Sequence, residues 1–269
     1  MLPKNMGKQA VMCPEVIRED GRAKQAIMPY VPFPEAAFVL ADCDRKIVFL
    51  HQRYGPSAEQ FRRIGTRMVN HHPLGGTVML TSPAPDDGKT LTALNLSLCL
   101  AERTPVLLVD LDTRRSTLRH KLGLPPSNVG IEDVLAEEQP PESCVLSIPG
   151  TRLCVAMNKG NGRNVLDLMV DGRPKRFLDW AHRKFGWVIM DTPPVFPIAD
   201  TLEIANYTSI GILVVRARMT PAPLVKQTID ALKGRIQYVV LNDSGSLSYT
   251  EHDRKYYSQG GVEDRGWRQ

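Results

Sequence analysis

The stretch Thr81-Ser82-Pro83-Ala84-Pro85-Asp86-Asp87-Gly88-Lys89-Thr90 constrains this chain more than any other. It joins an apolar, strand-like run to a helix-like run with Leu91, Leu94, Leu98 and Ala101 on one face. Gly88-Lys89-Thr90 is the chemical end of a P-loop: backbone N–H groups wrap phosphates, the Lys reaches the β and γ oxygens, and the Thr hydroxyl takes Mg²⁺. Pro83 stands where the usual first Gly of G-x-x-x-x-G-K-[ST] belongs.

Two later segments extend the pattern. Val106-Leu107-Leu108-Val109-Asp110-Leu111-Asp112-Thr113-Arg114 and Trp187-Val188-Ile189-Met190-Asp191-Thr192-Pro193-Pro194 are each an apolar run that ends in an Asp. That is the form of a buried parallel strand delivering a carboxylate to a nucleotide site. An Asp after one strand is often a helix cap, and a lone Gly-Lys-Thr arises by chance. Three such elements in this order point to phosphoryl chemistry, which must hold Mg²⁺, neutralise phosphate charge and orient a nucleophile.

The candidate catalytic residues are Lys89, Asp110 and Asp112. Asp87, Gly88, Lys89, Thr90 and Leu91 are the candidate nucleotide contacts of the loop, and Thr90, Asp110 and Asp191 the candidate metal ligands, Asp191 through water. Asp110 and Asp112 share a face if the strand tip stays extended. One is then a general base or a metal ligand, and the other organises the switch loop. Arg114 can pair with a phosphate or a neighbouring carboxylate. Asp86 and Asp87 put acid beside the phosphates and are expected to point outward.

Strand and helix signals alternate after Gly75-Gly76, as βαβ architecture requires. Strands are predicted at Thr77–Thr81, Pro105–Asp110, Arg152–Ala156, Trp187–Asp191, Ser209–Val215 and Ile236–Leu241. Helices are predicted after the P-loop, at Gly130–Leu135, Val165–Val170 and Lys175–Lys184, near Thr201–Ala205, and at Pro223–Lys233. Ser57 is a plausible cap for a helix to Val69, with Phe61, Ile64 and Met68 on its apolar face. The division expected is an N-terminal extension over 1–55, a nucleotide-binding domain over 56–242 and a flexible tail over 243–269. Within the extension, Val39-Leu40 and Ile47–Leu50 either form short strands or dock on the core.

Composition narrows the class. A length of 269 residues, 42% hydrophobic and 23% charged, suits one large α/β domain. No apolar run approaches the ~20 residues of a membrane span and no signal-peptide core is evident, so a cytoplasmic protein is expected. The five cysteines form no C-x-x-C pair and imply no disulfide framework or metal site. Residues 1–75 carry eleven Lys/Arg against seven Asp/Glu, most of the net +5. That excess is too dilute for a nucleic-acid partner. His71-His72 precedes Pro73 without other ligands at metal spacing and reads as a polar loop.

From about Ala58 to Tyr257 the chain resembles the bacterial tyrosine autokinases of capsule and exopolysaccharide loci, relatives of the partitioning and nitrogenase-iron-protein ATPases. Their Walker A of the form S-x-x-P-x-x-G-K-[ST] matches Ser82–Thr90. Their second acidic motif, three apolar residues then D-x-D-x-R, is matched in full by Leu107–Arg114, and their Walker B by Val188–Pro194. The resemblance implies a doubly wound, mainly parallel α/β sheet with helices on both faces, and ATP with Mg²⁺ as cofactors. It implies Asn242 and Arg216 at the adenine, Asp110 activating a tyrosine hydroxyl, and autophosphorylation at Tyr249, Tyr256 and Tyr257. It also implies a homo-oligomer and a membrane-embedded polysaccharide co-polymerase or activator that recruits the chain to the inner face of the plasma membrane. The alternative is a nucleotide-switch ATPase without kinase activity. A partitioning ATPase fits less well, since the P-loop lacks that group's early Lys. Three departures stand out, one of them that the family's C-terminal tyrosine cluster is here only Tyr249, Tyr256 and Tyr257. The family's P-G-E-G-K is Pro85-Asp86-Asp87-Gly88-Lys89 here, and its oligomerisation motif E-x-x-R-x-x-R is Glu59-Gln60-Phe61-Arg62-Arg63-Ile64-Gly65.

Overall fold

The computed structural model describes residues 33–160, 165–169, 171–197 and 199–245. Its helices are α1 (Val48–His51), α2 (Pro56–His71), α3 (Lys89–Ala101), α4 (Leu118–Lys121), α5 (Ile131–Leu135), α6 (Arg173–His182), α7 (Asp200–Ile204) and α8 (Ala222–Ala231). Its strands are β1 (Gly76–Thr81), β2 (Val106–Asp110), β3 (Val145–Ser147), β4 (Leu153–Ala156), β5 (Trp187–Asp191), β6 (Ile210–Arg216) and β7 (Tyr238–Asn242). They form one sheet in the order β3-β4-β2-β5-β1-β6-β7, and every neighbouring pair is parallel except β3 with β4.

The central strands β2 and β5 are buried along their whole length. Successive side chains alternate between two faces, so each face has its own core. Val106, Leu108, Trp187 and Ile189 pack toward α3, while Leu107, Val109, Val188 and Met190 pack with residues of α5 and α6. The helix α3 is covered on almost all sides, with Leu94, Leu96 and Leu100 essentially out of solvent. One backbone requirement fixes the entry to β1: Gly75 has φ 83°, and a Cβ there would stand 1.7 Å from the Gly186 carbonyl oxygen.

The differences from expectation have local causes. Gly55, not Ser57, is the cap of α2, because Pro56 with its fixed φ takes the first helical position. The segments Val39-Leu40 and Ile47–Leu50 make no strands. The first enters a 3-10 turn over Leu40–Asp42, and the second becomes α1, whose Phe49 joins the α3-side core. The strand β3 was not predicted; it is three residues long and pairs antiparallel at the sheet edge. Only a 3-10 turn, Val165–Leu168, occupies the described part of the predicted Val165–Val170 helix. The tail tyrosines Tyr249, Tyr256 and Tyr257 lie outside the described residues. Among the described residues no helix is long and apolar enough to cross a membrane.

Candidate active site

Sheet register assembles the acidic cluster. Leu80 of β1 is paired with Asp191 of β5, and Asp191 with Asp110 of β2. Three strands thus end level with one another, beside the point where the chain leaves β1 into the P-loop. The loop closes at Gly88, whose φ of 97° lies in the left-handed region, and α3 begins at Lys89. The first N–H groups of α3 and its dipole face this end of the sheet.

Lys89 is the electrostatic centre. Its Nζ lies 2.8 Å from Asp112 Oδ2 and 3.9 Å from Asp191 Oδ1. Burial alone would lower its proton affinity, but the charges of Asp191 and Asp112 outweigh that and raise it. Asp110 is fully buried, and burial together with the charge of Asp191 pushes its pKa up to about 8. Asp191 is raised as well, first by burial, while Lys89 and the Thr90 hydroxyl counteract. One ammonium therefore faces three buried carboxyl groups, and Asp191 Oδ1 has no hydrogen-bond partner. A hard divalent cation taking oxygen ligands fits this donor set, with Thr90 beside Asp191.

The turn after β2 folds over the cluster. The Asp110 Oδ1 accepts the Asp112 N–H at 3.1 Å, and Asp110 Oδ2 accepts the Ser116 hydroxyl at 2.6 Å. The Thr117 hydroxyl lies 3.4 Å from that of Thr90, and Arg114 donates to Asp200 at 3.2 Å. Just past β4, the buried Asn158 amide donates toward the carbonyls of Asp110 (3.5 Å) and Asp112 (3.3 Å). Above these groups opens a cleft of about 220 Å³ whose lining includes Gly88, Lys89, Thr90, Leu91, Asp112 and Arg114. A larger cleft of about 840 Å³, between α2, the end of α3 and β7, contains none of the phosphate-loop residues. Chemistry rather than size makes the smaller one the candidate site.

The two loop acids behave differently. Asp86 points outward as expected, with φ 65° and an exposed contact to Arg115 at 3.3 Å. Asp87 does not: it is buried and accepts from Ala84 N (3.1 Å) and the Thr220 hydroxyl (2.7 Å). Packing of the β6–α8 segment against the loop turns it inward. Arg216 and Asn242 are register partners at the ends of β6 and β7. Asn242 donates to the Asp87 carbonyl at 2.9 Å, and Arg216 pairs with Asp243 at 3.1 Å. Ser116, Thr117, Asn158 and Thr220 were not singled out from sequence for this site. The first two had a signal in their position just after D-x-D-x-R, and Thr220 had one in the family-like Thr220-Pro221 that follows Arg216; Asn158 had none.

Comparison with known proteins places this arrangement. The tyrosine-protein kinase YwqD of Bacillus subtilis is 26% identical over 214 residues, 77% of this chain and 90% of that protein. The tyrosine-protein kinase ptk of Acinetobacter johnsonii is 28% identical over 172 residues, 62% of this chain. A putative tyrosine-protein kinase in the cps region of Klebsiella pneumoniae is 27% identical over 140 residues, 52% of this chain. The kinase domain of VpsO superposes with a TM-score of 0.64 at 29% identity, covering 69% of this chain and 94% of that domain. The chain is thus similar to bacterial tyrosine kinases in both sequence and structure. It spans 23% of the Acinetobacter kinase and 19% of the Klebsiella one. Cobyrinic acid a,c-diamide synthase from Mycobacterium smegmatis, with an ATP analogue and magnesium bound, shares the fold alone (TM-score 0.52, 23% identity, 71% of this chain and 80% of that one). No family model matches the sequence.

Proposed function

We propose that this chain is an ATP-dependent protein-tyrosine autokinase that regulates polymerisation and export of an exopolysaccharide or capsule. The observation that carries the reading is the pairing of Lys89 with Asp112 and Asp191, with Asp110 alongside, at the mouth of a phosphate loop. Thr90 and Asp191, with Asp110 near them, are the groups to hold Mg²⁺, which when bound offsets charge on the phosphates. Lys89 supplies positive charge toward the phosphates, and the two carboxylates keep its side chain extended before a ligand arrives. Asp110 takes the proton of the attacking tyrosine hydroxyl. A raised proton affinity suits a base that must work near neutral pH. In this reading the incoming hydroxyl takes the place of the Ser116 hydroxyl, which donates to Asp110 at 2.6 Å.

The substrates in this reading are Tyr249, Tyr256 and Tyr257 in the 243–269 tail of a neighbouring copy, presented to the 56–242 domain. A membrane-embedded co-polymerase or activator recruits the homo-oligomer to the inner face of the plasma membrane, and Arg216 and Asn242 flank the adenine. The test is anti-phosphotyrosine detection on purified protein with Mg-ATP, with and without the cytoplasmic part of the membrane partner, and Lys89→Met as control. Signal that requires Lys89 supports the kinase. Its persistence in the Tyr249/Tyr256/Tyr257→Phe variant removes the tail from the reading.

One observation favours the nucleotide switch instead. Arg62 of the E-x-x-R segment is spent inside its own chain, on Glu59 and on Glu102 at 3.1 Å, and Gly65 replaces the final Arg. ATP-dependent dimerisation without phosphotyrosine is the outcome that reading expects.

A further inference from the structure

Asp87 is an acid next to the phosphate-binding glycine, yet it does not line the phosphate cleft. It is 4% exposed, and both of its carboxylate oxygens are occupied. The bonds around it converge on its carboxylate, which accepts from both sides. The Arg216 N–H donates to Thr220 Oγ1 at 3.0 Å, the Thr220 hydroxyl donates to Asp87 Oδ1 at 2.7 Å, and Asp87 Oδ2 accepts the Ala84 N–H at 3.1 Å. From the neighbouring strand end, Asn242 Nδ2 donates to the Asp87 carbonyl at 2.9 Å. The same amide lies so close to Gly88 that a Cβ there would be 2.1 Å from Nδ2. Thr220, in the β6–α8 turn, and Asn242, at the end of β7, thus both hold the P-loop at Asp87, through its side chain and its carbonyl, and Asp87 in turn holds Ala84.

A phosphate loop must present its N–H groups in a fixed curve, and an acid inside it repels the ligand unless its charge is absorbed. Here the charge is absorbed by two hydrogen-bond donors, and the bonds shape the loop. We infer that Asp87 and Thr220 are positioning residues: through their shared hydrogen bond, the β6–α8 segment sets the curvature of the P-loop and so its grip on phosphate. This rests on the reading of the cleft as a nucleotide site. It assigns to Thr220, which does not line the cleft, control over the binding of a ligand with no base.

The experiment is calorimetric titration of the full chain, in Mg²⁺, with inorganic tripolyphosphate and with ADP. The variants are Thr220→Val, which removes the hydroxyl at constant shape, and Thr220→Ser, which keeps it. The expected result is that Thr220→Val weakens both ligands alike by about tenfold, the scale of a lost charge-assisted bond, and that Thr220→Ser stays within about twofold of the parent. A Thr220→Val protein that loses ADP affinity but binds tripolyphosphate normally makes Thr220 a base-side contact and overturns the inference. Unchanged affinity for both ligands overturns it equally. Should Thr220→Val fail to fold, Asp87→Asn, which retains an acceptor for Ala84 but not for the Thr220 hydroxyl, is held to the same two outcomes. A parent chain that binds neither ligand removes the nucleotide reading itself, a result distinct from either variant effect.

Discussion

The ammonium of Lys89 lies 2.8 Å from Asp112 Oδ2, and the two side chains are only 10% and 5% exposed. A pair this buried stabilises little by forming, but removing one partner strands the other charge, at about 3–5 kcal/mol. Lys89→Met should therefore destabilise the metal-free protein by about 3 kcal/mol at pH 8. The loss should shrink at pH 5, where the neighbouring carboxyl groups can take protons instead. Urea unfolding at the two pH values measures this, and an equal loss at both would show that the ammonium is not the counter-charge.

Asp110 titrates in the opposite sense to a salt-bridged acid. The unfolded chain releases its proton near pH 3.8, whereas the folded, metal-free chain releases it near 8. Between those values the folded state holds more protons, so stability falls as pH rises. Asp191, shifted in the same direction, adds to the slope. Thermal unfolding in EDTA should give a melting temperature that declines from pH 5 to 8. Asp110→Asn should flatten that decline and melt higher than the parent at pH 8. Parallel profiles for the two proteins would refute the assignment.

Arg62 serves its own subunit. It bonds Glu59 and Glu102 and lies over the Phe49 ring, 5.2 Å from the centroid. Arg62→Ala should cost the isolated monomer about 1–2 kcal/mol, through the lost bonds to Glu59 and Glu102, the latter still paired with Arg53 at 2.9 Å, and through the lost stacking. If Arg62 acted only between subunits, the variant would change oligomer size at unchanged monomer stability. Sedimentation with urea unfolding separates the two.

Gly65 marks where α2 meets α3. A Cβ at this position would stand 3.1 Å from Cys99 Sγ, tighter than ordinary contact. Gly65→Ala gains about 1 kcal/mol of helix propensity and loses a similar amount to that contact. In a Cys99→Ala background the contact is gone, so the same substitution should be more stabilising by about 1 kcal/mol. Additive effects in the double-mutant cycle would mean that the helices do not meet as described.

The predicted strands that carry Asp110 and Asp191 were legible because a buried parallel strand must be apolar along its length, and β2 and β5 are. The shorter pieces were not. Three residues of β3 carry too little periodicity to be read, and Ile47–Leu50 is equally apolar as a strand or as the turn of helix it forms.

What the sequence determined by itself was the chemistry along each strand end: a phosphate loop, three acids and their order. Those features are local, since a loop or a strand tip is encoded by consecutive residues. Tertiary structure alone decided which groups meet them. Thr220 reaches Asp87 across 133 residues, and Asn158 reaches Asp110 across 48. Asp87 faces inward because the β6–α8 segment packs there with a hydroxyl to receive it. No pattern of neighbouring residues encodes that choice, because it depends on which strands lie side by side in the sheet.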